Sequence, residues 1–235
     1  MEKIDNKITD EFVSTLSHEI RTPLTSIKGF AQTILDNYDS FNDEQKKKFL
    51  NIIAEQSQRL VNLVENVLNV AKLEGEEDLV IKEIDPEFIV KKTLELVKIN
   101  CKDRVFNIKT EENISNVIGD YDKLQQVLTN IFDNACKYSD DKIDINILKN
   151  GKIEVIDYGA GITDSQKGMI FEKFYRAQNL LTGKTQGSGL GLYIAKSLIE
   201  KMNGNIGVES KEGFTKFSIE LPVFEVEKIT KKVTT

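Results

Sequence analysis

The sequence predicts an α+β protein: an N-terminal helical hairpin, half of a dimeric four-helix bundle, followed by an α/β sandwich with helices on one face of a sheet. Three observations predict it. Apolar residues recur at helical spacing through the first seventy-odd residues, and after Leu79 the periods alternate between strand and helix. The clearest strand pair is joined at Asn150-Gly151, a strong turn pair. The expected domains are a helical hairpin at 1–74, a linker at 75–78, a mixed domain at 79–224 and a tail at 225–235.

Taken in order, the first helix carries Ile8, Phe12, Leu16, Ile20, Leu24, Ile27, Ala31 and Ile34 on one stripe, with Pro23 expected to kink or loosen it. The turn formers of 37–44 follow, where Asn42 or Asp43 can cap a second helix. That helix shows a stripe of coiled-coil type through Ile53, Leu60, Leu63, Val64, Val67 and Leu68. One hairpin has little core of its own, so the stripes either pair with a second copy or pack on the downstream domain. LVIKEI reads as a strand and Pro86 opens a helix to about Ile99, with VFNIKT and ISNVIGD as short strands beyond. Asp120 caps a long helix to about Lys137, and the hairpin around Asn150-Gly151 comes next. A helix from Gly189 to Met202 and the strands NIGVES and FTKFSIEL close the domain.

Composition excludes several functions. Thirty-eight acids against thirty-two bases leave a net charge of −6, which argues against a nucleic-acid binder. Cys101 and Cys136 form neither a disulfide framework nor a metal pair and fit a reducing compartment. The single histidine, His18, rules out a zinc site of the two- or three-His kind within one chain. No apolar run approaches the roughly 18 residues of a membrane span. The expectation is a cytoplasmic location without membrane contact in this segment, or the cytoplasmic portion of a plasma-membrane sensor if the chain is part of a longer protein.

Two features carry chemistry. Seven of the fourteen glycines fall between 159 and 191, in DYGAGI at 157–162 and GSGLGL at 187–192. The second precedes a helix, whose N-terminal amides suit phosphate oxygens; alone, it reads equally as a flexible loop. In LQQVLTNIFDNACKYS, Leu124, Val127, Leu128, Ile131 and Ala135 make the buried face, while Asn130 and Asn134 share another, extended by Lys137 and Tyr138. Carboxamide oxygens are hard ligands suited to Mg²⁺, and a nearby Lys favours phosphate; two solvent-facing Asn are the plainer alternative.

NxxxNAxKY, DxGxG, IFEKFYR and GSGLGL occur in this order. They resemble the N, G1, F and G2 boxes of the sensor histidine kinase catalytic domain, whose ATP-binding fold is shared with gyrase, Hsp90 and MutL. FVSTLSHEIRTPLTSIKG resembles the H box of the dimerisation and phosphotransfer domain of the same kinases. The resemblance covers residues 8 to 221. It implies two-component signalling: ATP binds with Mg²⁺, His18 is autophosphorylated, and the phosphoryl group passes to an Asp in the receiver domain of a response regulator. Phosphatase activity toward that regulator is implied as well, in a homodimer joined through the helical bundle.

The residue roles follow from the same resemblance. His18 lies roughly 200° around its helix from the Leu16–Ile20 face and so points to solvent. A neutral imidazole there has a lone pair for attack, through Nε2 in the family. Glu19 polarises the other ring nitrogen as general base, and Thr22 positions water for dephosphorylation. Asp157 accepts a hydrogen bond from the adenine amine, where guanine presents a carbonyl, with Gly159 and Gly161 letting the backbone pass close to the base. The family usually has Asn after this Asp; here it is Tyr158. Asn134 coordinates Mg²⁺ and Asn130 supports it. Lys137, Tyr138 and Arg176 neutralise phosphate charge, and Gly187, Gly189 and Gly191 close over the phosphates. Phe171 and Phe174 anchor a lid at about 171–190. Two alternatives stay open at this point: a serine kinase of the same superfamily, which leaves the H box without purpose, and a degenerate module that binds nucleotide without catalysis.

Overall fold

The computed structural model describes residues 2–75, 78–101, 104–176 and 188–224, without the side chains of 2–12 and Glu74. Two compact units result: Met1–Glu76 with Glu172–Gly191, and Glu77–Phe171 with Leu192–Thr235.

In the first unit, α1 (Glu2–Asp36) and α2 (Asp43–Glu74) form the hairpin. Asn42 is the residue that caps α2, through a reciprocal box: its Oδ1 accepts from the Gln45 N–H at 2.8 Å, and Gln45 Oε1 accepts from the Asn42 N–H at 3.1 Å. Phe49 fastens the turn end, with its ring 5.5 Å from Phe30 and 5.2 Å from Phe41. Pro23 does not end α1, which runs through it with the ring buried; the missing N–H withdraws the helical donor from the Glu19 carbonyl. Leu63, Val70 and Leu73 are buried, whereas Val13, Leu24, Val61, Val64 and Leu68 are each about half exposed or more. One chain therefore covers only part of its two stripes.

The second unit starts with β1 (Ile81–Ile84) and α3 (Pro86–Val97), followed by β2 (Phe106–Thr110), β3 (Val117–Asp120) and α4 (Tyr121–Tyr138). The hairpin β4 (Ile143–Ile147) and β5 (Ile153–Asp157), the short α5 (Asp164–Lys167), α6 (Gly191–Lys201), β6 (Asn205–Lys211) and β7 (Phe214–Glu220) complete the order. Five strands form one sheet in the order β2-β4-β5-β7-β6, while β1 and β3 pair separately. Within the five-stranded sheet β2 and β4 are parallel and the other neighbours antiparallel. The intervening β3 and α4 supply the long crossover that a parallel pair requires.

Strict alternation builds the core. Ile143, Ile145 and Ile147 of β4 and Ile153, Val155 and Asp157 of β5 are buried, and the residues between them are not. Leu124, Val127, Leu128 and Ile131 of α4 are fully buried, as are Ile89 and Val90 of α3 and Ile194 and Ala195 of α6. The other face of the sheet is polar, with Asp144, Asn146, Glu154 and Lys216 partly exposed. Gly151 takes φ +77° in the β4–β5 loop, where its N–H donates to the Leu148 carbonyl at 2.8 Å. Among the described residues, no helix is long and apolar enough to cross a membrane.

Candidate functional site

His18 is exposed on α1. Beside it, Glu19 is held by two guanidinium groups, which the sequence did not foretell. Its Oε1 accepts from Arg176 Nη1 at 2.9 Å and its Oε2 from Arg59 Nη2 at 3.3 Å, all three residues belonging to the first compact unit. Arg176, expected at phosphate, is here an ion-pair partner of Glu19, and Arg59 on α2 is an addition. No spacing rule links residues 40 and 157 positions apart, so only the fold reveals this cluster. Thr22 donates its hydroxyl to the His18 carbonyl at 3.2 Å, a local bond within α1.

In the second unit, Asp120 fixes the start of α4. Its Oδ1 accepts from the Asp122 and Lys123 N–H groups at 3.0 and 3.1 Å, and its Oδ2 accepts from the Val80 N–H at 2.8 Å. Nearly three turns on, Asn130 and Asn134 are half-buried one turn apart, and neither carboxamide hydrogen-bonds another described residue. Lys137 and Tyr138 are exposed at the end of α4. Burial raises the Asp133 carboxyl above the ordinary range, opposed by Lys137.

Asp157 ends β5 with its side chain buried. Its Oδ1 accepts from the Gly159 N–H at 3.0 Å, while Oδ2 has no donor among the described residues. Burial, partly offset by that bond, pushes the carboxyl up to about 6. A buried acid with one acceptor lobe uncommitted is suited to a donor brought by a ligand. The glycines that follow admit no side chain: a Cβ at Gly159 would strike the Tyr138 carbonyl, and one at Gly161 the Lys211 carbonyl.

The second glycine run starts its helix later than expected. Gly189 has φ +69° and lies outside α6, which begins at Gly191. A Cβ on Gly189 would come within 2.6 Å of the Phe174 backbone, itself at φ +61°. Leu190, between Gly189 and Gly191 in sequence, is fully buried. Gly187 and the centre of the expected lid lie outside the described residues. Phe171 packs edge-on against Phe217, with ring centres 6.4 Å apart. Among the described residues, no group of three or more His, Cys, Asp or Glu side chains could hold a metal. Cation binding here would rest on the Asn oxygens together with oxygens of the ligand.

Residues 9–76 match the family model of the His Kinase A (phospho-acceptor) domain, and residues 119–225 match that of the histidine kinase-, DNA gyrase B- and HSP90-like ATPase. The chain belongs to the histidine kinases. His18 falls within the first match, and Asn130, Asn134, Asp157 and both glycine runs within the second. Sensor protein kinase WalK of Staphylococcus aureus is 34% identical over 227 residues, an alignment covering 92% of this chain and 54% of WalK. The chain spans about half the length or less of the curated relatives it matches. Full-length ShkA, crystallised with AMPPNP, is 27% identical with a TM-score of 0.65, covering 92% of this chain and 46% of ShkA. Histidine kinase ThkA in complex with response regulator protein TrrA has a TM-score of 0.73 at 23% identity, covering 94% of this chain and 64% of ThkA; at that identity the likeness concerns the fold.

Proposed function

We propose that the chain is the core of an ATP-dependent protein-histidine kinase, which phosphorylates His18 and passes the phosphoryl group to an Asp of a response regulator. The observation that carries the reading is His18 itself: the chain's one histidine is solvent-exposed inside the stretch that matches the phospho-acceptor domain. In the reaction, His18 Nε2 attacks the γ-phosphorus of ATP. A P–N bond forms, the bond to the β,γ-bridging oxygen breaks, and ADP leaves. Glu19 polarises Nδ1–H and, as general base, accepts that proton as positive charge develops on the ring. Each of its oxygens accepts one arginine N–H and keeps a second lone pair for the ring proton. Thr22 is assigned to the reverse function, dephosphorylation of the regulator.

The nucleotide is held in the second domain, proposed at 79–224. Asp157 accepts from the adenine amine, Gly159 and Gly161 admit the base, and Lys137 and Tyr138 face the phosphates with Gly187, Gly189 and Gly191, joined by Arg176 when it leaves Glu19. Asn134, supported by Asn130, holds Mg²⁺, which neutralises phosphate charge when bound. Two supports for ATP are the uncommitted lobe of Asp157 and the AMPPNP complex of ShkA. The regulator docks around Thr22, Ser26 and the facing α2. The half-exposed Leu24, Val61, Val64 and Leu68 form the seam of a homodimeric bundle, since a stripe left this open by one chain needs a second. We place the core in the cytoplasm, without nucleic acid as partner and without membrane contact in this segment.

Incubation with γ-³²P-ATP and Mg²⁺ tests the reading. Acid-labile, alkali-stable label that is absent from His18→Ala is expected; alkali-labile or acid-stable label, or none, overturns it. A pH dependence follows from Asp157. The ionised carboxylate is the stronger acceptor, and this carboxyl protonates as pH falls through about 6. Affinity for ADP, measured by calorimetry at constant Mg²⁺, should drop about tenfold between pH 7.5 and pH 5. Affinity independent of pH over that range would contradict the assignment.

A further inference from the structure

Asp157 and Tyr158 are consecutive and face opposite sides of the sheet, because side chains alternate along a strand. Asp157 is buried on the helix-covered face, and Tyr158 joins a polar cluster on the other. The Tyr158 hydroxyl donates to Asp144 Oδ2 at 2.6 Å, and Asn107 Nδ2 donates to Asp144 Oδ1 at 2.7 Å. Lys142 Nζ lies 3.5 Å from Asp144 Oδ2 and 5.2 Å from the centre of the Tyr158 ring. One carboxylate on β4 thus gathers a donor from β2, a cation and the phenol that follows β5. The short phenol–carboxylate bond holds Asp144 below the ordinary carboxyl range and Tyr158 above that of a phenol.

The backbone joining Asp157 to Gly159 is consequently fixed from two sides. On one, Gly159 runs against the Tyr138 carbonyl with no room for a side chain, and its N–H orients the Asp157 carboxylate. On the other, the Tyr158 side chain is tethered to Asp144. We infer that Tyr158, through Asp144, is a positioning residue: it holds the backbone that aims the free lobe of Asp157, and so sets how strictly the site tells adenine from guanine. The inference rests on the reading of Asp157 as the adenine acceptor. Hydrogen bonds weaken steeply off-axis, so a looser backbone costs the adenine bond while easing the rejection of guanine.

The test uses the full chain with Tyr158→Phe, Asp144→Ala and the double variant, titrated with ADP and with GDP in competition. Tyr158→Phe should weaken ADP about fivefold and GDP little, lowering the ADP preference by about the same factor. The phosphorylation rate at saturating ATP should stay within about twofold of the unaltered chain. Adding Tyr158→Phe to Asp144→Ala should change the preference little further, because the two act through one bond. An unchanged preference in Tyr158→Phe, additive losses, or equal weakening of ADP and GDP accompanied by a lower Tm would each overturn the inference. An unaltered chain with no preference for ADP over GDP would instead overturn the role of Asp157 itself.

Discussion

Replacing Asp157 by Asn should make the protein more stable and nearly unable to bind ATP. The two effects have one cause. Burial raises the folded-state pKa of this acid to about 6 from the ordinary 3.8, so the fold disfavours the charged form. For an acid with a raised pKa, the penalty is full above about pH 6 and disappears as pH falls toward the unfolded value. At pH 7.5 it amounts to at most about 3 kcal/mol. Asn carries no charge and keeps an oxygen for the Gly159 N–H, and the cost of burying its amide leaves a net gain of about 1–2 kcal/mol. Tm without nucleotide should rise by about 2–6 °C. With its oxygen toward Gly159, the amide turns a donor toward the donor of adenine, and ADP affinity should fall roughly a hundredfold. Calorimetry measures both quantities. A variant that binds ADP normally contradicts the role of Asp157, and one that loses stability contradicts its being a strained, ligand-facing acid.

Asn134→Ala separates binding from chemistry in another way. The Asn134 side chain bonds no described residue, and Ala is the better helix former, so Tm should hold or rise slightly. ADP should still bind within about tenfold, because the adenine contacts are untouched. The rate of His18 phosphorylation should fall by about a thousandfold or more, since transfer depends on charge neutralisation at the phosphates. Near-normal labelling of the variant would remove Asn134 from the Mg²⁺ site.

Local chemistry was legible and long-range pairing was not. The Asp120 cap, the apolar face of α4 and the hairpin around Asn150-Gly151 sit where sequence places them, because each is set within a few residues. The start of α6 shifted from Gly189 to Gly191: a residue at φ +69° cannot be helical, and glycine spacing alone does not say which glycine takes that conformation. Parallel pairing of β2 with β4 depends on how the chain between them crosses over, and alternation within a strand carries no information about its neighbour. At the candidate site, the types and order of His18, Asn134 and Asp157 were readable. The clamp of Arg59 and Arg176 on Glu19 was not, nor was the tether of Tyr158 to Asp144, because each joins residues that meet only after folding.

The central claim is that the phosphoryl group of ATP arrives on His18. Fragment mass spectrometry at neutral to alkaline pH, after brief incubation of the chain with ATP and Mg²⁺, locates it directly. The account predicts one phosphoryl group on the fragment containing His18, with the mass increase assigned to the imidazole and lost on acid treatment. Phosphoryl on a Ser, Thr or Asp of that fragment, on any other fragment, or on none would contradict it.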